Sequence, residues 1–398
     1  MLINDQQELF PLEEGELELG MTLPWTVFTE TGQLMMKEGA AVDNQRKLDN
    51  LLNKGFRHKD KNSVSKEGEE GPPADEPQPQ VFPADTNPFV ELDELGYELK
   101  RLFEKITDAS AKPGALEKAF YAMATQIQGL IELNTDAVLG AVHLSGEHPY
   151  IIQHPLHVTI IAALIARRLK VPQRIQLSML AASLTQNIGM NHYQMRLHAQ
   201  DLPLNQRQRK QVEEHPLAGV KLLSKAGIDD KLWLQVVYQH HEKADGQGYP
   251  QGLKGIKIRP EARIVALGDV YSALVTSRPY RPGLSAQQSL KSIFLARGKQ
   301  FDPQLSMVFL KELGLYPPGA AVRLKNGEVA LVTKRTGDER SPRVTSFMEQ
   351  KGQLLMRLQE RDTSDPKYAI QSNVSPHSLP KLNPTLLWGI KLKRVNLS

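Results

Sequence analysis

Residues 240–250 read HHEKADGQGYP. Two adjacent histidines run into a Gly-Tyr-Pro turn, with the acidic Asp245 between them. The preceding LWLQVVYQHH is an amphipathic helical pattern, so His240 and His241 close a helix. Imidazoles gathered in this way are costly to keep unless they hold a metal ion or a nucleotide phosphate.

Working outward, further polar residues fall on helical, apolar backgrounds. His154 sits in YIIQHPLHV, and His157, three residues on, shares its face. His215 sits in EEHPLAGVKLL, where Pro216 suits the first turn of a helix. Asp269 sits in ARIVALGDVYSAL, mid-helix, where a carboxylate needs a partner. The chain has no cysteine, which excludes thiolate ligands and leaves imidazole and carboxylate for Fe, Mn, Zn or Ni. A single helical histidine is more often a surface or capping residue than a ligand. The order H-x60-H-x24-HH-x27-D, together with DGQGYP and RPYR at 278–281, is far more specific.

The pattern from His154 to about Leu313 predicts an all-helical bundle, with helices at 155–170, 173–188, 205–225, 230–242, 260–276 and 285–296. The whole chain of 398 residues reads as mainly α, with small β-containing pieces at both ends. Residues 1–60 form an N-terminal module with strands at 22–29 and 34–37 around Thr31-Gly32, then a short helix at 44–53. Residues 61–88 are rich in Pro, Glu, Ser and Gln and read as a disordered linker. Residues 89–146 are helical. Leu92, Leu95, Leu99, Leu102 and Ile106 form one seam, read as packing against the next helix, Leu116–Val142, rather than as a coiled coil. The bundle occupies 147–315. A β appendage of two hairpins, 321–334 and 343–358, follows within 316–398, and the last thirty or so residues read as loosely ordered.

Net charge is +4 and the pI about 8.9, too diffuse to argue for nucleic acid. No apolar run reaches the roughly 18 residues of a membrane span, and the acidic N-terminus is no signal peptide. A bacterial-type cytoplasmic protein with no membrane or nucleic-acid partner is the expectation, and an oligomer is compatible with it.

From about Tyr150 to Leu313 the chain resembles the HD-GYP family, a branch of the metal-dependent HD phosphohydrolases. EEHPLAG, HHEKADGQGYPQGLKG, ARIVALGDVYSAL, TSRPYRP and FDPQL carry the resemblance. It implies an HD-type helical bundle with a two- or three-metal site that hydrolyses cyclic di-GMP or related cyclic dinucleotides. It places His154 and Asp269 at a first metal, and His215, His240 and His241 at a second. It places Arg278 and Arg281 on the nucleotide phosphates, a role suited to the guanidinium fork. Asp245, Gly246, Gly248, Tyr249 and Pro250 form the signature loop, which shapes the site or meets signalling proteins. The N-terminal module and the C-terminal appendage weakly resemble pieces that flank such bundles.

The departures fall at LTQNIGM, 184–190. Where the family carries HDxxK, this chain has Gln186, Asn187 and Met190. A glutamate of trimetal members is Tyr150. An amide lacks the charge that bridges two divalent cations, so two-metal catalysis is expected to be lost. His215, His240 and His241 suffice for one ion with an open position. His192 and His198, in the following loop, are weaker substitute ligands. The leading expectation is an inactive or nearly inactive signalling protein that binds cyclic di-GMP, partner proteins or both. A phosphodiesterase working on the reduced three-histidine site and a structural scaffold are the alternatives.

Overall fold

The computed structural model of the chain describes residues 9–12, 17, 19–23, 26–29, 34–37, 39–58, 77–108, 110, 112, 114–144, 146–198, 200, 203–277, 282–375 and 379–390. It divides into two units, 1–75 and 76–398.

The first unit is a four-stranded antiparallel sheet with one helix. Strands β1 (Leu9–Pro11), β2 (Val27–Phe28), β3 (Leu34–Met36) and β4 (Phe56–His58) stand in the order β1-β4-β2-β3, and α1 (Gln45–Lys54) precedes β4. Asn44 caps α1 by accepting the Lys47 N–H at 2.9 Å. Leu12, Leu17, Leu23, Val27, Val42, Leu48 and Leu51 form its small core. The expected turn at Thr31-Gly32 lies outside the described residues.

Residues 77–87, assigned to the linker by composition, are tied to the bundle at a few points although none of them is buried. The Gln80 N–H donates to Thr125 O, Gln173 Nε2 donates to Pro77 O, and Phe82 lies against the bundle core. The backbone groups of this proline-rich stretch find partners on neighbouring helices, which composition does not reveal. The remainder of the expected linker, residues 61–76, lies outside the described residues.

Helices α2 (Pro88–Thr107) and α3 (Ala115–Ala141) then pack together. The seam from Leu92 to Ile106 is buried in the main core, as packing against the next helix requires. α3 breaks its helical geometry at Asn134, whose Oδ1 accepts the Ala137 N–H at 3.0 Å and so restarts the helix as an internal cap.

The site-bearing helices follow. They are α4 (Tyr150–Arg168), α5 (Gln173–Thr185), α6 (Asn191–His198), α7 (Gln206–Lys225), α8 (Lys231–Gln239), α9 (Pro260–Val275), α10 (Ala286–Ala296) and α11 (Pro303–Leu313). α4 is the one described helix long and apolar enough to cross a membrane by length and composition. It is the bundle's central helix, packed by α3, α5 and α9, with Val158, Ile161, Leu164 and Ile165 fully buried. α5 stops at Thr185, three residues short of the expected end, and a 3-10 turn at Ile188–Met190 follows. His192 and His198 lie on α6 rather than in a loop, and His192 is exposed. α11 begins at an Asp-Pro pair, Asp302 capping the Leu305 N–H at 2.9 Å.

The C-terminal appendage is a five-stranded antiparallel sheet. Strands β5 (Ala321–Leu324), β6 (Val329–Lys334), β7 (Arg343–Met348), β8 (Leu354–Asp362) and β9 (Ile370–Asn373) stand in the order β8-β7-β6-β5-β9. Both expected hairpins are present. The tail is not loose: β9 pairs with β5, and α12 (Pro384–Leu387) buries Leu387 beside Phe347 and Leu331. Its apolar residues follow no period because they fill gaps rather than line one face. Trp388 lies against Gly140, where a side chain would collide with the indole, and meets Phe89 edge-on at 5.2 Å. Residues 391–398 lie outside the described residues.

Candidate metal centre

Four helices bring the imidazoles and Asp269 to one point. α7 carries His215, the end of α8 carries His240 and His241, α4 carries His154, and α9 carries Asp269. One ligand atom from each of His215, His240 and His241 lies within 4.8 Å of the others.

The hydrogen bonds of these rings fix their tautomers. His215 Nδ1 lies 2.5 Å from Val212 O, and His240 Nδ1 lies 2.7 Å from Val237 O. A carbonyl only accepts, so each Nδ1 carries the proton and each Nε2 offers a lone pair. Those two Nε2 atoms face each other at 3.2 Å. Two lone pairs at that distance repel unless something electropositive is shared between them. The spacing is close to the ~3.4 Å edge of a tetrahedron of nitrogens around a zinc-like ion. Burial lowers the pKa of His215 to about 3, with the His240 charge adding to it, and burial also lowers those of His240 and His241. The three rings are therefore neutral ligands at physiological pH. Their donor set fits one divalent transition ion with a position left open.

Sequence placed Pro216 in a first turn, but it sits in the interior of α7, the eleventh of its twenty residues. Lacking an N–H, it leaves Val212 O without the usual partner four residues on. That carbonyl is the one His215 uses. Val237 O is free for a different reason: α8 ends at Gln239, so its last carbonyls have no helical donor.

The other half of the cluster is wired differently. His154 Nε2 donates to Asp269 Oδ1 at 2.8 Å, and Gln186 Nε2 donates to the same oxygen at 3.0 Å. His154 Nδ1 meets Ser272 Oγ at 3.1 Å. Burial alone would raise the pKa of Asp269, but the hydrogen bond from His154 and the facing imidazoles outweigh it and hold the carboxyl ionised. The place between His154, Gln186 and Asp269 is thus filled by donors of the protein itself. Gln186 Oε1 and Asn187 Oδ1 are buried with no hydrogen-bond partner. His241 stands beyond them, its Nδ1 3.9 Å from Asp269 Oδ2.

His157 does not join this cluster. It faces a separate cavity with Leu156 and Ile160, and burial lowers its pKa to about 3. α4 is buried on all sides, so positions three apart meet different neighbours.

The Gly-Tyr-Pro loop is held by a residue that the sequence reading did not single out. Buried Glu242 accepts the Gln251 N–H at 2.7 Å and the Leu253 N–H at 2.8 Å. Asp245 Oδ1 accepts the Gln247 N–H at 2.9 Å, and Gly246 has φ +84°. A side chain at Gly248 would overlap the backbone of His241 to Lys243, so only glycine fits that close approach. The fold-back lays the Tyr249 ring over His241, centroids 4.7 Å apart. Pro250 follows a cis bond.

A cavity of about 250 Å³ opens on the cluster, lined by Tyr150, Asn187, Met190, Gln194 and Tyr249 among others. The Tyr150 ring stacks on His154 at 4.8 Å. α6, which the periodicity missed, supplies Gln194 and Leu197 to this wall. Arg278 and Arg281 lie outside the described residues.

Residues 131–305 match the HD domain family. The cyclic di-GMP phosphodiesterase PA4108 of Pseudomonas aeruginosa is 30% identical over 241 residues, 60% of this chain and 58% of that one. The 3'3'-cGAMP-specific phosphodiesterase 3 of Vibrio cholerae is 27% identical over 174 residues, 44% of this chain and 38% of that one. Both alignments cover less than two thirds of the relative. Among solved structures, the HDG"Y"P protein Bd1817 of Bdellovibrio bacteriovorus superposes with a TM-score of 0.43 and 12% identity, over 76% of this chain and 99% of that one. Over residues 131–305 the chain is thus similar to the HD domain, and over part of its length to cyclic di-GMP phosphodiesterases.

Proposed function

We propose that the bundle binds one divalent transition metal on His215, His240 and His241 and recognises a cyclic dinucleotide beside it, with little or no hydrolysis. The observation that carries this reading is the saturation of Asp269 Oδ1 by two protein donors, His154 and Gln186. In a two-metal hydrolase the corresponding carboxylate and imidazole face a cation. Here they face each other, and the adjoining Gln186 and Asn187 are neutral amides with no charge to give a second ion.

A metal on the three histidines would polarise a phosphate oxygen of the ligand. The chain's own residues supply the rest. Tyr150 and Tyr249 offer ring faces at the cavity, and Asn187 lines its wall. Met190 presents an apolar wall where a lysine would have met phosphate. Arg278 and Arg281 are assigned to the phosphates on the strength of the RPYR motif. The cavity is below the ~300–1,000 Å³ usual for small-molecule sites, so it suits part of a cyclic dinucleotide, with the remainder outside.

Calorimetry of the metal-loaded protein with cyclic di-GMP, paired with a hydrolysis assay, tests this. Saturable binding is expected, weakened by Arg278→Ala, with turnover at least about a thousandfold below an intact relative. Hydrolysis at an ordinary rate would overturn it. One observation favours a second reading, an active single-metal phosphodiesterase: the three-imidazole set leaves a coordination position open. Slow turnover that tracks metal content and vanishes in His240→Ala would select that reading.

A further inference from the structure

We infer that Pro216 is a positioning residue for the metal centre: its missing N–H reserves the Val212 carbonyl for His215 and so fixes which ring nitrogen faces the ion. The inference rests on the three-histidine reading above. A proline in the interior of an exposed helix costs about 3 kcal/mol relative to alanine, so its place in the middle of α7 calls for a reason.

The geometry supplies one. In an uninterrupted helix the N–H of residue 216 would occupy Val212 O. With proline there, that carbonyl accepts His215 Nδ1–H from one turn away at 2.5 Å. The bond holds the proton on Nδ1, turns Nε2 toward His240 and pins the ring plane. Comparable partners of metal-ligating histidines are worth about 10–100-fold in metal affinity.

The same tripeptide, His-Pro-Leu, occurs a second time, at His154–Leu156 in α4. There Ile151 O is the carbonyl freed by the proline, three residues before the histidine, yet His154 Nδ1 turns to Ser272 Oγ and its Nε2 donates to Asp269. Two His-Pro pairs of identical local sequence therefore hold their imidazoles in opposite ways. Where the ring engages the freed carbonyl, Nε2 is free for an ion. Where it does not, Nε2 is spent on a carboxylate. The proline makes the device available, and the surroundings decide whether it is used.

The test is Pro216→Ala in the full chain, read in three ways. Nitrogen-15 imidazole spectra of the metal-free protein should show His215 as the Nδ1–H tautomer in the parent and a mixture in the variant. Zinc affinity by competition should fall about tenfold or more. The melting temperature should not fall, because alanine restores a helical hydrogen bond, so a loss of affinity would not reflect unfolding. An unchanged His215 tautomer with unchanged zinc affinity would overturn the inference. A tautomer change in a chain whose parent form binds no zinc would uphold the positioning role and sink the metal reading instead.

Discussion

At the scale of single residues, protonation decides what each histidine can do. His215 and His240 keep Nε2 free because backbone carbonyls accept hydrogen bonds from their Nδ1–H groups, whereas His154 Nε2–H donates to the Asp269 carboxylate. His143, away from the centre, shows the same physics acting on stability. It is half-buried, its Nε2 lies 2.7 Å from the Tyr271 hydroxyl, and desolvation of the ring lowers its pKa from 6.5 to about 4. His157, which interacts with it electrostatically, is also held neutral. The folded state thus binds fewer protons than the unfolded state between these values. The stabilisation from neutral His143 is complete above about pH 6.5 and is lost as pH falls toward 4, to a maximum of about 3 kcal/mol. Urea midpoints measured across that window should drop with acid, and His143→Leu should flatten the slope. An equally steep slope in the variant would refute the assignment. The site residues with side-chain motifs were legible in sequence because their order and spacing are specific. The Val212 carbonyl and the Glu242 clamp were not, since a backbone acceptor freed by a proline, or a carboxylate that accepts two loop N–H groups, leaves no motif.

At the scale of elements, the turn after α5 decides where the amides go. The helix stops at Thr185, and Ile188–Met190 packs directly on α7. Gly189 makes that contact possible, because a side chain there would overlap the His215 carbonyl and the Gly219 N–H. Gly189→Ala should therefore push α7 and the turn apart, costing about 1–3 kcal/mol by denaturation. It should also weaken zinc binding, since the displaced backbone is that of His215. Full zinc affinity in a stable Gly189→Ala protein would contradict the packing. Helix positions were largely readable from period, because most helices here bury one face. α6 escaped because its sequence, NHYQMRLH, has too few apolar residues to mark a face. The boundaries at 185 and 239 escaped because polar residues just beyond each helix end serve the centre rather than the helix.

At the scale of the whole molecule, the second unit is a bundle with a sheet docked on it. Arg335 beside β6 binds Asp136 of α3 through both its side chain and its backbone N–H, at 2.6 and 2.9 Å, and Trp388 covers Gly140. This docking orders the tail that composition read as loose. Long-range contacts of that kind carry no local signal, whereas the bundle and both hairpins were legible from period and turn residues. The proposed centre of this unit holds one ion on His215, His240 and His241, with the neighbouring position closed by His154, Gln186 and Asp269. Substituting Gln186→His, Asn187→Asp and Met190→Lys together restores charge and an imidazole beside His154 and Asp269, and should raise the metal content by a second equivalent. The most direct test is the number of tightly bound transition-metal ions per chain in the parent protein, measured by plasma mass spectrometry after metal loading and desalting. One equivalent is expected, abolished by His240→Ala. Two equivalents in the parent, or none, would contradict it.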